Sequence, residues 1–242
     1  MKFYRKWGWG LGIATVSATA AFGVASWQAN AAPSPAPTGA AAEQPRVSDP
    51  DPGPEPAAGK GSDALTTTEV DKARTAALTP QLAAEARNVA GEAGPEYLSA
   101  DLDAEGGGRE AELYFYDYRT DKLIKQVVDL RTGKVAKSFS AANMQPPASE
   151  REAAVALDLL LADPLGAEFK AAYEKTTGKQ LAGKEGLVAT AHTYQARPAD
   201  RGASQCGAKR CVQLIVETAD GKFINVSDLI IDLSGHKVAR LS

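Results

Sequence analysis

The stretch VVDLRTGKV, Val127 to Val135, returns later in the chain as IIDLSGHKV, Ile230 to Val238. A phrase used twice constrains folding more than any single motif, because it implies one supersecondary unit built twice. In each copy an apolar strand ends in Asp-Leu, a Gly-containing turn follows, and Lys-Val opens the next strand. Gly133 is available for positive φ in the first turn. Asp129 and Asp232 hold matching places at the strand ends, where a carboxylate closes a turn by accepting backbone N–H groups. A paired acid/base site from the two is disfavoured, since they belong to different repeats.

The surrounding text supplies the rest of each unit. In the first, Thr79 reads as a cap and Pro80 as the first helical residue, with Leu82, Ala86 and Val89 on one face. EYLSADLDA, REAELYFYDYR, KLIKQVVDL and VAKSFS then read as strands separated by turns. In the second, Ser149 and Glu152 form a capping box. Leu157, Leu160 and Leu161 stripe a helix that Pro164 ends. A further helical stretch carries Phe169 and Tyr173. GLVATAHTYQAR, CVQLIVETA, KFINVSDLIIDL and VARLS read as strands. A helix followed by an antiparallel meander, twice, is an α+β pattern.

The N-terminus is a separate matter. Lys2, Arg5 and Lys6 precede an uncharged run, and Ala29 and Ala31 form an A-x-A site, which is the pattern of a secretory signal peptide over residues 1–31. Residues 32–63 are rich in Pro and Ala with almost no large apolar residue, so a disordered tether is expected. The chain has two cysteines. Cys206 and Cys211 bracket CGAKRC, and export predicts a disulfide between them that pins a loop tip. A net charge of −3 gives no reason to expect nucleic acid as a partner.

At the centre of the chain, VVDLRTGKV leads into Gln145-Pro146-Pro147 and then LLLADPLGAEFKAAYEKTTG. This combination resembles the two small N-terminal domains of copper amine oxidases, with Asp163-Pro164 and Phe169 the most specific matches. The resemblance covers about residues 76 to 242 and implies two tandem cystatin-like domains, each a helix packed on an antiparallel meander sheet. The corresponding limits are 64–142 and 147–242. The family's topaquinone motif is not found in these residues, nor are three copper-binding histidines: His192 and His236 are the two in the sequence. The resemblance therefore does not bring the oxidase activity with it, and no cofactor and no metal site are expected.

Other candidates read as structural. Gln126 and Val128 match part of the Gln-x-Val-x-Gly inhibitory loop of cystatins, but Leu130 stands where Gly is needed. Tyr114, Tyr116 and Tyr118 alternate along one strand and form the best candidate for a partner-contact stripe, since aromatics with polar tips suit interfaces, with a cross-strand packing ladder as the favoured alternative. The expected function is a secreted, non-catalytic interaction protein whose partner is another exported protein or a cell-wall component. One alternative is an accessory partner of a separate amine oxidase. Another is an extracytoplasmic inhibitor or small-ligand binder of PepSY or cystatin type. No membrane association is expected once the signal is removed.

Overall fold

The computed structural model describes residues 54–103 and 108–241; the expected signal peptide, including Ala29 and Ala31, lies outside them. Residues Pro52–Ser242 form one compact unit. Its architecture is α+β, with four α-helices and two antiparallel sheets among the described residues. Among the described residues, no helix is long and apolar enough to cross a membrane.

The first sheet is a meander of β1 (Glu96–Asp103), β2 (Glu110–Asp117), β3 (Lys122–Asp129) and β4 (Lys134–Ala142), in that spatial order. Strand alternation sends Ala111, Leu113, Phe115 and Val128 to one face, where they are fully buried with Ala73 and Ala77 of helix α1 (Thr67–Ala77). Sequence periodicity does not reveal α1, because it meets the sheet with alanines; small side chains let the helix lie close. Its start is a capping box between Thr66 and Glu69. The helix expected from Thr79 to Val89 is shorter. Helix α2 spans only Pro80–Glu85. The chain then turns away because the Asp117 carboxylate accepts the Arg87 N–H and the Asn88 side chain accepts the N–H of Ala90 and Glu92.

Residues 32–53 of the expected tether lie outside the described residues. The last residues of the tether are tied to the start of β2. Arg109 donates to the carbonyls of Gly61, Asp63 and Ala64 at 2.8–3.0 Å and pairs bidentately with Glu69 at 2.8 Å. The Arg109 guanidinium holds the Glu69 carboxyl down to about 2. A carboxyl depressed in the folded state stabilises above its unfolded range and loses that contribution as pH falls through its folded value. Glu69→Gln should therefore flatten the loss of stability between about pH 4.5 and pH 2, as read by thermal melting across that window. An unchanged acid limb would show that this pair is not what protonates.

The second sheet runs β5 (Leu187–Thr193), β6 (Cys211–Thr218), β8 (Leu229–Asp232), β9 (Lys237–Arg240), with β7 (Phe223–Ile224) also paired to β6. Helices α3 (Glu150–Ala162) and α4 (Gly166–Thr177) provide Ala156, Leu157, Leu160 and Phe169 to its core. The single strand expected over KFINVSDLIIDL is broken in two. Asn225 accepts from Ser227 N and Oγ, and Leu229 N–H bonds back to Val226, so the chain turns there. Between β5 and β6 the chain makes an excursion whose Ala203 and Cys206, with Cys211 at the start of β6, cover Ile230. Strand β8 is therefore buried on both faces.

The repeated phrase is a joint in both sheets. Asp129 accepts from the N–H groups of Arg131 and Thr132, and Asp232 from that of Gly235. Gly133 and His236 occupy the same place in their turns and share positive φ, +64° and +50°. The glycine of the second copy sits one residue earlier for a different reason: a Cβ on Gly235 would lie 2.5 Å from Asp232 Oδ2. Aligned this way, Gln126 of β3 corresponds to Leu229 of β8. Leu229 is core, whereas Gln126 is 5% exposed and its Oε1 has no partner. Gln126→Leu should stabilise the protein by about 1 kcal/mol, because it removes a buried unsatisfied acceptor. Urea unfolding measures this, and destabilisation would mean that Gln126 has a partner after all.

Candidate functional site: the junction between the two sheets

The densest polar cluster lies where the two sheets meet, and its parts come from four places. Glu152 sits in the first turn of α3, where it closes the capping box by accepting Ser149 N–H at 2.7 Å. Arg210 is delivered by the disulfide loop just before β6. Tyr116 and Tyr118 come from the end of β2 and the turn after it. Gln145, Pro146 and Pro147 come from the linker.

Arg210 and Glu152 are both fully buried. Arg210 Nε and Nη2 donate to the two Glu152 oxygens at 2.5 and 2.8 Å. The remaining guanidinium N–H groups go to Gln145 Oε1 and to the carbonyls of Pro146 and Pro147, at 3.0–3.3 Å. The Tyr116 ring lies 5.0 Å from the guanidinium carbon. The Tyr118 hydroxyl donates to Glu152 Oε1 at 2.5 Å. Burial, then the Glu152 charge, pushes the Tyr118 phenol far above its ordinary range, so it stays a donor. A buried ion pair is tolerated only when its other hydrogen-bonding capacity is filled, and here the protein fills it.

The disulfide explains how Arg210 is aimed. Cys206 and Cys211 are bonded, with S–S 2.09 Å. The closed loop points Lys209 at Asp121 of the β2–β3 turn, 2.6 Å away, and offers the Gly207 carbonyl to Gln145 Nε2 at 3.0 Å. Ser234, in the second repeat's Asp-Leu joint, donates to the same Asp121 and accepts Arg210 N–H. His236 places a ring nitrogen 3.1 Å from the Val89 carbonyl, and Val89 itself packs in the second core. Nearby, Glu96 is 3% exposed. It accepts from Val89 N–H and Ser149 Oγ, and burial raises its carboxyl above the ordinary range.

The tyrosine stripe is thus an interface stripe, but an internal one. Tyr116 is wholly buried and Tyr118 is partly buried against the second core. They do not stand exposed for a separate partner, because the second repeat covers that end of the first sheet. Only Tyr114 remains near the surface. Its hydroxyl donates to Glu112, and burial together with that carboxylate pushes the phenol up to about 12. Tyr114 lines an open groove of about 300 Å³ with Leu123, Lys125, Phe139 and Met144. Phe139 and Met144 are each 51% exposed.

Arg210 was not legible as a site residue. Glu152 reads locally as a helix cap and Arg210 as one cation of a small loop, and their pairing spans 58 residues. The other sequence candidates stay apart. Gln126 and Val128 lie buried in the middle of β3, where no inhibitory loop is presented. His192 is exposed on β5 and His236 is in the turn after β8. Among the described residues, no group of three or more His, Cys, Asp or Glu side chains is placed to hold a metal ion. A second cleft, of about 520 Å³, is lined by Arg74, Glu96, Tyr97, Ser149 and Arg151. Its arginines are engaged, Arg74 over the Tyr97 ring and Arg151 with Glu92.

No protein-family model matches the chain, and no curated protein matches it. Among solved structures, a copper-containing benzylamine oxidase from Hansenula polymorpha is similar over 75% of this chain, with 15% identity and a TM-score of 0.42. The chain spans 30% of that oxidase's length. The likeness is too weak to carry any statement about chemistry.

Proposed function

We propose that this chain is a non-catalytic binding protein of the extracytoplasmic space, made of two tandem cystatin-like domains with limits near 64–142 and 147–242. One observation carries the reading. The buried ion pair at the junction, Arg210 with Glu152, has its hydrogen-bonding capacity filled by the protein itself, so it joins the repeats and leaves no charged group free for a substrate. Two large apolar side chains of the Tyr114 groove face water, Phe139 of β4 and Met144 of the segment that follows it. The closed Cys206–Cys211 disulfide supports an oxidising compartment, as does the A-x-A signal pattern of the sequence. The expected partner is an exported protein or a cell-wall component. A separate amine oxidase is one such partner, suggested by the sequence resemblance alone.

The test is affinity capture with the chain from Ala32 onward against secreted and cell-wall fractions. The control bait carries Phe139→Asp and Met144→Asp. These positions are exposed, so the fold should survive, which a substitution at Tyr116 would not ensure. A partner held by the parent and lost by the control supports the reading. No partner with either bait sinks it, and a turnover of any amine by the purified chain would sink the non-catalytic part.

A further inference from the structure

A sheet edge is a row of unpaired backbone groups, and proteins usually blunt it with charge, Pro, a bulge or shortness. Three edges here are treated that way. Strand β1 carries Glu96, Asp101 and Asp103 and is irregular between Tyr97 and Ser99. Strand β4 carries Lys134 and Lys137 and bulges opposite Val127 and Val128. Strand β9 is four residues long and carries Lys237 and Arg240.

Strand β5 has none of these devices. Its seven residues, LVATAHT, include no Lys, Arg, Asp, Glu or Pro, and its register with β6 is unbroken. It pairs with β6 alone. Tyr194 N–H bonds to Cys211 O and Ala219 N–H to Gly186 O across this pair. In an antiparallel ladder the bonded residues alternate, so Val188, Thr190 and His192 face β6 with their backbone groups. Ala189, Ala191 and Thr193 therefore aim theirs outward.

The strand is also close to symmetric about Thr190, which Ala189 and Ala191 flank. We propose that β5 is the docking edge for a second copy of the chain, paired antiparallel about a two-fold axis at Thr190. That pairing sets Ala189 against Ala191 of the other copy as a hydrogen-bonded pair, Val188 against His192, and Thr190 against its own symmetry mate. No charge meets a like charge, and a Thr–Thr cross-strand pair is favourable. The interface is isologous and closed, as a two-fold dimer requires. The other long edges resist the same arrangement through their bulges and charges.

The purified full chain, followed by sedimentation equilibrium over a range of concentrations, should show a monomer–dimer equilibrium. Thr190→Lys places two ammonium groups on the axis and leaves the β6 pairing intact, since Thr190 is exposed. It should weaken the dimer by about tenfold or more. Mixing Thr190→Lys with Thr190→Asp should restore dimers, all of them mixed. Phe223, 65% exposed on the outer face, lies off the edge, so Phe223→Asp should dimerise like the parent. A chain that stays monomeric at all concentrations overturns the proposal. So does a Thr190→Lys dimer as tight as the parent's, or loss of the dimer in Phe223→Asp, which would place the contact on the sheet face.

Discussion

Arg210→Ala should destabilise the protein by about 3–5 kcal/mol, the usual result of removing one partner of a buried, hydrogen-bonded ion pair. The loss would come from leaving the Glu152 carboxylate buried among groups arranged for a cation. Glu152 would keep the Ser149 N–H and the Tyr118 hydroxyl, but two short donations from the guanidinium would go. The carbonyls of Pro146 and Pro147 and the Gln145 side chain would lose theirs as well. Arg210→Lys should recover only part, because an ammonium cannot reach carboxylate and carbonyls in one plane as the guanidinium fork does. Arg210→Met combined with Glu152→Leu should recover more than either single change would suggest, since the pair then vanishes together. Urea unfolding of these variants, with Arg210→Met and Glu152→Leu also made singly, reads the cycle. A cost below about 1 kcal/mol for Arg210→Ala would mean that the junction is held elsewhere.

Phe169→Ala should cost about 3–5 kcal/mol, the range for truncating a buried aromatic. Phe169 is fully buried among Leu157, Leu160 and Leu233 in the second core. Its position depends on the turn between α3 and α4. Asp163 accepts Leu165 N–H with its side chain and Gly166 N–H with its carbonyl. At Gly166 the backbone runs so near the Leu160 carbonyl that a Cβ would collide with it. The order Asp-Pro-Leu-Gly, followed by Phe three residues on, is thus a packing device: the turn folds α4 back so that its aromatic enters under α3. Thermal melting should place Phe169→Ala well below the parent, and Phe169→Leu between them. An equal effect of both would mean that ring shape rather than buried volume is what the site needs.

The two variants bear on different layers of the molecule. Phe169 belongs to a core built mainly by the second repeat, with Val89 of the first repeat among its members. Arg210 belongs to the contact between repeats and is placed there by a loop that the Cys206–Cys211 bond closes. The tyrosines follow the same division. Their alternation along β2 was readable, and so was their suitability for an interface. Which surface would cover them was not, because the covering residues lie beyond Gln145 in sequence.

What the sequence determined by itself were the local, periodic features. The Asp-Leu joint, the Ser149–Glu152 capping box, the strand alternation of β2 and β3 and the disulfide each depend on residues close in the chain. Their geometry follows from spacing alone. Helix α1 escaped because its buried face is alanine, which periodicity reads as neutral. The anchoring of Gly61, Asp63 and Ala64 escaped because Arg109, which holds them, lies more than forty residues on, beyond the first strand. Only the tertiary structure decided that Glu152 is both a helix cap and half of a buried ion pair. It alone decided that the tyrosine stripe faces inward, and that β5 is left as an open, uncharged edge. The physical reason is common to all three. Burial and pairing are set by what another segment covers, and sequence distance carries no record of that.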